Sequence, residues 1–340
     1  MKSILINSLT LVISIFLSFL VAEVVCRKAK LSKTWSSYID SKSITNNLKK
    51  FNNSNIGYTR IPNDTIKTSN DVIFITNNLG FRDINRGKKS KNKKIALIGD
   101  SVFEGFGVEV DDRVSNKIET SLLAKNLNYD ILNFSIAGYA TIDQVQILER
   151  YVLDYSPESI ILQICYNDFE RNLIESLPKS ESLPKSESLS KSEEVSFKKV
   201  LQTNSAFYLF LAEQYSYFKL KNRKNNQIPN VQPLSQDKWK WTKFYLNKIQ
   251  YLCKTHNIEF IISYVPLANE VIISQDGIGK KVNNDLENYC TKDSIAFLSV
   301  INQFRDYYNP ESLYLDDCHL SVKGNEFLSK IIVEHLTSKK

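Results

Sequence analysis

Histidine is scarce in this chain of 340 residues, with three copies, and its five cysteines form no C-x-x-C pair. An odd set of scattered cysteines (Cys26, Cys165, Cys253, Cys290, Cys318) argues against a disulfide framework and against a cysteine-built zinc site. A basic face is also missing. The net charge is +7, yet residues 27 to 60 alone carry eight Lys or Arg against one acid, Asp40. That segment holds the whole excess and the rest of the chain sums to zero. A local basic stretch of this kind does not make a nucleic-acid surface, and no nucleic-acid partner is expected. What the chain does have is apolar residues, at 42%, enough to bury a sizeable core in one large or two modest domains.

The longest apolar stretch is N-terminal. It comprises Ile4-Leu5-Ile6, then Leu9 through Ala22, then Val24-Val25. Residues 4–25 in a helix rising about 1.5 Å per residue would reach roughly 33 Å, close to the hydrocarbon thickness of a bilayer. A cleaved signal peptide is the other reading of such a run. No small-x-small site follows it cleanly, and Glu23-Val24-Val25-Cys26 lacks the small residue a lipoprotein site needs. An uncleaved single-pass anchor over residues 1–26 is therefore expected. The basic residues after position 26 favour the cytoplasmic side by the positive-inside rule. The expectation is nonetheless that the domain following the anchor lies on the extracytoplasmic side, where envelope and exported material is found.

Residues 27–70 are rich in Lys, Asn and Ser and carry little periodicity, which reads as a basic polar stalk. Asp71 to Thr76 reads as a short strand running into the turn Asn77-Asn78-Leu79-Gly80-Phe81-Arg82. From there the pattern alternates. Apolar runs at 94–99, 129–136, 159–166, 259–265 and 295–300 predict strands buried on both faces. Helical patterns fall at 113–126, 141–155, 236–255, 279–291 and 321–337. Such alternation predicts an α/β domain over 71–340 with a parallel central sheet covered by helices. The interruption at 175–192 is three near-copies of Glu-Ser-Leu-Pro-Lys-Ser, which cannot build a core and read as a disordered insertion. Beyond it, the aromatic stretch Val200 to Leu220 predicts a helix packed on the domain or lining its cleft.

Two short segments carry chemistry. The strand Lys94 to Gly99 ends on Asp100-Ser101, and far downstream stands Asp316-Asp317-Cys318-His319. A serine hydroxyl needs a base to take its proton, a third group to hold that base, and donors for the oxyanion. Ser101 is a candidate nucleophile at a strand-to-helix turn, where the first backbone N–H groups are free. His319 is the candidate base, Asp316 the favoured orienting acid and Asp317 the less favoured one. Each alone has a plainer reading. Asp100-Ser101 is an ordinary helix cap, and a lone histidine at a helix start is more often structural. Their conjunction at two edges of a parallel sheet is what points to a site. His256 and His335 read as structural, the Trp239–Tyr245 aromatics as core, and Cys318 as a small packing residue.

The blocks Ile98-Gly99-Asp100-Ser101-Val102-Phe103-Glu104-Gly105-Phe106-Gly107-Val108, Asn133-Phe134-Ser135-Ile136-Ala137-Gly138-Tyr139-Ala140-Thr141, Tyr166-Asn167-Asp168 and Asp316-x-x-His319 stand in this order. Together they resemble the blocks of the SGNH/GDSL hydrolases. Asn78 to Arg82, ahead of the first block, is similar to a feature of membrane-anchored bacterial members. The resemblance implies a flavodoxin-like three-layer α/β/α sandwich after one transmembrane helix. It implies that Ser101, Asp316 and His319 form a triad. It also implies that the Ser101 N–H, the Gly138 N–H and the Asn167 side chain form the oxyanion hole, with no cofactor and no metal. One departure is visible: Cys165 stands where the family often has glycine, two residues before the asparagine. The implied activity is a serine esterase acting on an acyl ester, such as an acetyl ester, of a carbohydrate or lipid. An O-acyltransferase modifying an envelope or exported polysaccharide would use the same residues, and a non-catalytic glycan-binding domain is the reading of another class.

Overall fold

Each of the five apolar runs predicted as strands is a strand in the computed structural model. They are β5 (Lys93–Ile98), β6 (Tyr129–Asn133), β7 (Ser159–Ile164), β8 (Glu259–Tyr264) and β9 (Ala296–Ser299). The structure describes residues 2–32, 48–51, 56–68, 72–176, 200–201, 204–221, 235–272 and 278–338. The expected stalk at 33–47, 52–55 and 69–70, Asp71 of the predicted strand, and residues 177–192 of the expected insertion lie outside the described residues. The chain divides into two units, one of Met1–Lys42 with Pro184–Gln227, the other of Ser43–Leu183 with Ile228–Lys340.

In the larger unit the five strands are all parallel and lie in the order β6-β5-β7-β8-β9. Counted along the sheet strands, this is the 2-1-3-4-5 order of flavodoxin-like folds. Side chains alternate across the sheet, so β5 feeds two cores. Ala96 and Ile98 pack with Leu132, Leu162 and Ile262 under α4 (Thr141–Ile147), α7 (Gln236–Thr255) and α9 (Ile278–Asp293). Ile95 and Leu97 pack with Ile131, Ile161 and Ile261 under α3 (Val114–Ala124) and α11 (Val322–Ser338). Strands buried on both faces explain why the runs are continuous rather than alternating. Short helices α2 (Ser101–Glu104), α8 (Ala268–Ile272) and α10 (Ile301–Arg305), together with α5 (Tyr166–Ser176), follow the carboxyl ends of strands or the loops beyond them.

The N-terminal boundary of this unit differs from the one predicted. Residues 48–67 were expected in a stalk. They form β1 (Leu48–Lys50), β2 (Tyr58–Arg60) and β3 (Thr65–Lys67), with β1 pairing β2 and β3 pairing β4 (Ile73–Ile75). Arg60 is buried to 1% exposure and grips Glu104, itself 0% exposed, through Nε–Oε1 at 2.5 Å and Nη2–Oε2 at 2.7 Å. The turn at Gly80 locks onto the same strand. Its φ is +86°, and a Cβ there would stand 2.2 Å from the Arg60 carbonyl oxygen. Removing one partner of a buried ion pair leaves an uncompensated charge. Arg60→Met is expected to lower stability by about 3–5 kcal/mol, read by urea unfolding, and Arg60→Met with Glu104→Leu is expected to recover most of it.

In the smaller unit, α1 (Lys2–Lys28) is one continuous helix, of which Ile6–Lys28 is long and apolar enough to cross a membrane. Helix α6 (Ala206–Lys221) matches the predicted aromatic helix. Within the unit it lies beside α1.

Candidate active site

The strand order changes direction at β5, with β6 on one side and β7 on the other. A crevice outside the carboxyl ends of the strands opens at such a point. Three loops enter it. Ser101 follows β5, residues 134–140 follow β6, and Cys165 to Asp168 follow β7. The sheet pairing runs on past the strand ends, with Phe134 N donating to Leu97 O at 2.8 Å and Ile136 N to Gly99 O at 3.3 Å. On the other side the Cys165 thiol donates to Asp100 Oδ2 at 2.9 Å. The segments ahead of Gly138 and Asn167 are thus stitched to the turn carrying Ser101.

That turn is built by its neighbours. Asp100 caps α2, its Oδ1 accepting from Val102 N at 2.9 Å, and its own N–H donates to Gln163 Oε1 at 2.9 Å. The Ser101 side chain lies half-buried at the helix start. From the far end of the chain, His319 Nε2 stands 3.0 Å from Ser101 Oγ. Its Nδ1 stands 2.8 Å from Asp316 Oδ2. The other Asp316 oxygen accepts two backbone N–H groups, from Cys318 at 3.0 Å and His319 at 2.8 Å. The i, i+3 spacing therefore closes a tight turn in which one carboxylate orients both backbone and ring. Asp317 is exposed, and its carbonyl accepts from Ala268 N at 2.9 Å. Phe106 stacks on the imidazole with ring centroids 4.1 Å apart. Arg82 holds the loop bearing Phe106, through Nη1 to the Gly105 carbonyl and Nη2 to Val108 O at 2.8 Å. Sequence reasoning found Arg82 only as part of a turn signal.

Gly138 has φ +83°, which turns its N–H away from the sheet ladder. Its loop is pinned from three directions: Ala137 N donates to Glu104 Oε2 at 2.8 Å, Ala137 O accepts from Tyr58 Oη at 3.0 Å, and Gly138 O accepts from Arg171. Arg171 in turn pairs with Asp143 at 3.0 Å. These supports come from β2, α2 and α5, and no local motif announces them. Cys165 replaces the expected glycine without filling the cleft. It is 2% exposed, and its Sγ lies 2.5 Å from Asn167 Oδ1. Among the described residues the Ser101 N–H, the Gly138 N–H and the Asn167 NH2 find no hydrogen-bond acceptor.

Two clusters bring metal-ligating atoms together among the described residues: Asp316, Cys318 and His319, and Asp100, Cys165 and Asp168. In the first, Cys318 Sγ is almost equidistant from the ring nitrogens, at 3.6 and 3.8 Å, so it stands off the in-plane direction of Nδ1, which Asp316 occupies. In the second, burial raises Asp168 and the Cys165 thiol well above their ordinary values, and Asp100 reinforces both shifts. These donors are already spent on one another. Burial also pushes up the Cys318 thiol, reinforced by Asp316, and raises Cys253 and Cys290 to about 12. Thiolate is the reactive form. The native protein at neutral pH is expected to react slowly with Ellman's reagent at all four positions, with rapid release only after denaturation; fast modification of Cys318 would contradict this.

The other singled-out residues lie apart from this constellation. His256 caps α7, with Nδ1 2.9 Å from Leu252 O, and His335 lies in the last helix. Trp239 packs on Phe169 with centroids 5.5 Å apart.

Comparison with known proteins places this arrangement. The family model described as GDSL-like Lipase/Acylhydrolase matches residues 95–332. Among solved structures, the chain is similar to the acetyl xylan esterase AlAXEase, at 18% identity and a TM-score of 0.46, over 72% of this chain and 99% of that one. It is similar to a lipase/acylhydrolase from Enterococcus faecalis, at 14% identity and a TM-score of 0.45, over 73% and 96%. It is also similar to the psychrotrophic esterase EstA from Pseudoalteromonas sp., at 9% identity and a TM-score of 0.44, over 73% and 98%. A search of curated proteins finds no match. The matched span runs from β5 into α11 and takes in the Ser101 turn, all three loops of the crevice and the Asp316–His319 turn, so the chain belongs to the GDSL-like lipase/acylhydrolase family and is a serine hydrolase of ester bonds.

Proposed function

We propose that Ser101, His319 and Asp316 work as a triad that deacylates a short-chain ester, such as an acetyl ester, of a carbohydrate or lipid. The observation that carries this reading is the unbroken path from Ser101 Oγ to His319 Nε2 at 3.0 Å and from His319 Nδ1 to Asp316 Oδ2 at 2.8 Å. In the proposed reaction Ser101 Oγ attacks the ester carbonyl while Nε2 takes its proton. Asp316 keeps the ring in the tautomer that leaves Nε2 able to accept, and stabilises the imidazolium. The Ser101 N–H, Gly138 N–H and Asn167 NH2 hold the oxyanion. Nε2 then returns its proton to the leaving alcohol. Water, activated by the same nitrogen, cleaves the acyl-enzyme and restores the serine.

The exposure of Gly138 and Asn167 supports hydrolysis over acyl transfer, because a site open to solvent does not keep water from the acyl-enzyme. It supports a bulky alcohol as well. We further place α1 in a membrane as an anchor, with the catalytic unit on the extracytoplasmic side, where acylated envelope polymers are reached. The basic residues Arg27 and Lys28 in its last turn favour the opposite orientation. Labelling an introduced surface cysteine in whole cells with an impermeant reagent distinguishes the two, since labelling only after lysis would overturn the placement.

The catalytic reading is tested with an alkyl p-nitrophenyl phosphonate. One equivalent of nitrophenol and a phosphonyl group on the peptide containing Ser101 are expected. Stoichiometric modification at another residue, or none while ester hydrolysis persists, would overturn it. Offering a sugar acceptor alongside p-nitrophenyl acetate then separates the hydrolase from the transferase, which would acylate the sugar at the expense of free acetate.

A further inference from the structure

Helix α6 reads Ala-Phe-Tyr-Leu-Phe-Leu-Ala-Glu-Gln-Tyr over its first ten residues, with aromatic and aliphatic side chains around its circumference. A helix apolar all round is buried in a core or in lipid. Here Leu211 is 48% and Tyr215 66% exposed. What stands beside it is α1. The Glu23 carboxylate accepts from Ala206 N at 2.9 Å, Phe207 N at 3.0 Å and Ser205 Oγ at 2.8 Å, capping the α6 N-terminus. Arg27 completes the joint, with Nε 2.6 Å from Glu23 Oε1 and Nη2 2.5 Å from Asn204 O. One turn deeper, Phe207 packs edge-on against Phe19, with centroids 5.9 Å apart. One turn further out, Ser32 Oγ donates to Glu213 Oε1 at 2.8 Å. These contacts set the α6 N-terminus beside the last turns of α1, near the end of the apolar span, and the Ser32–Glu213 bond carries α6 on past the end of α1.

This fixes the depth of α6, given the reading of α1 as a membrane anchor, on which the inference rests. Glu23 stands two residues before the end of the apolar run, near the boundary of the hydrocarbon. A carboxylate at that depth needs partners from protein, and the α6 N-terminus brings three donors to it. Phe207, Tyr208, Phe210 and Leu211 then fall at the headgroup level, where aromatic side chains concentrate. Arg27, Lys28 and Lys30 follow just beyond, suited to anionic headgroups. We infer that α6 is a second membrane-contacting element: its first two turns lie in the lipid–water interface beside the end of α1, and the partner of its exposed apolar residues is the bilayer itself. The chain thus meets the membrane at residues 6–28 and returns to it from residue 206, after the first three strands of the catalytic sheet.

The test uses the full-length protein in phosphatidylcholine–phosphatidylglycerol vesicles with a benzophenone amino acid at Leu211, and in a second preparation at Ile13 of α1. Neither position belongs to the catalytic machinery, and unchanged hydrolysis of p-nitrophenyl acetate verifies folding. Irradiation is expected to give lipid adducts at both positions. Lipid adducts at Ile13 with only protein cross-links at Leu211, into catalytic-unit peptides, would overturn the inference and leave the anchor standing. Loss of lipid adducts at both would overturn the anchor reading and the inference with it.

Discussion

Ser101→Ala is expected to lower kcat for p-nitrophenyl acetate on the order of a millionfold while leaving the melting temperature close to that of the parent protein. The size of the loss follows from what the hydroxyl does. In the proposed mechanism it is the atom that becomes acylated, and the nearest thiol to the imidazole, Cys318, is pushed up by burial and by Asp316 and so stays protonated. The fold has little stake in the hydroxyl, because Asp100 makes the helix cap and Gln163 ties the turn. Residual hydrolysis of about a thousandfold over water would remain, from the oxyanion donors and substrate binding. Steady-state kinetics on protein purified away from host esterases reads the result. A loss of only tenfold would assign the nucleophile elsewhere.

Asp316→Asn is expected to reduce kcat by about ten-thousandfold, again without unfolding the protein. The geometry separates the two functions of this carboxylate. Oδ1 accepts the Cys318 and His319 backbone N–H groups, and an amide oxygen continues to do so. Oδ2 faces His319 Nδ1 at 2.8 Å. An amide NH2 in its place donates to Nδ1, moves the ring proton to Nε2 and leaves nothing there to accept from Ser101. Asp317→Asn is the control, with kcat expected to stay near the parent value, because Asp317 is exposed and its side chain is not the one on the imidazole. Equal losses at 316 and 317 would mean that general charge, and not tautomer control, is what the acid supplies.

The parts of this molecule that were legible in its sequence are those where one segment carries its own reason. A parallel strand buried on both faces must be apolar throughout, so β5 to β9 were visible as runs. Ser101 and the Asp316–His319 turn were visible because a strand-end serine and an i, i+3 acid–base pair are local patterns. What was hidden depends on distant partners. Arg60 reads as one more charge in a basic segment until its ion pair with Glu104, 44 positions away, is seen. The strands at 48–67 are three residues each, too short for a periodic signal, so the segment read as stalk. Cys165 looked like a departure beside Asn167; its thiol lies buried against Asp100 and the Asn167 side chain. The aromatic helix was predicted, but its neighbour was not.

The hydrogen bond between Ser101 and His319 closes a loop of 218 positions. Closure over so long a span is paid late in folding, after local elements have formed. In the proposed triad the nucleophile is made 218 positions before its base, which stands just ahead of α11. A chain cut between residues 167 and 319 would carry Ser101, Gly138 and Asn167 but not the proposed base. The proposed triad is therefore incomplete until residue 319 has been made and its turn has docked against Ser101, and ester hydrolysis would report that docking.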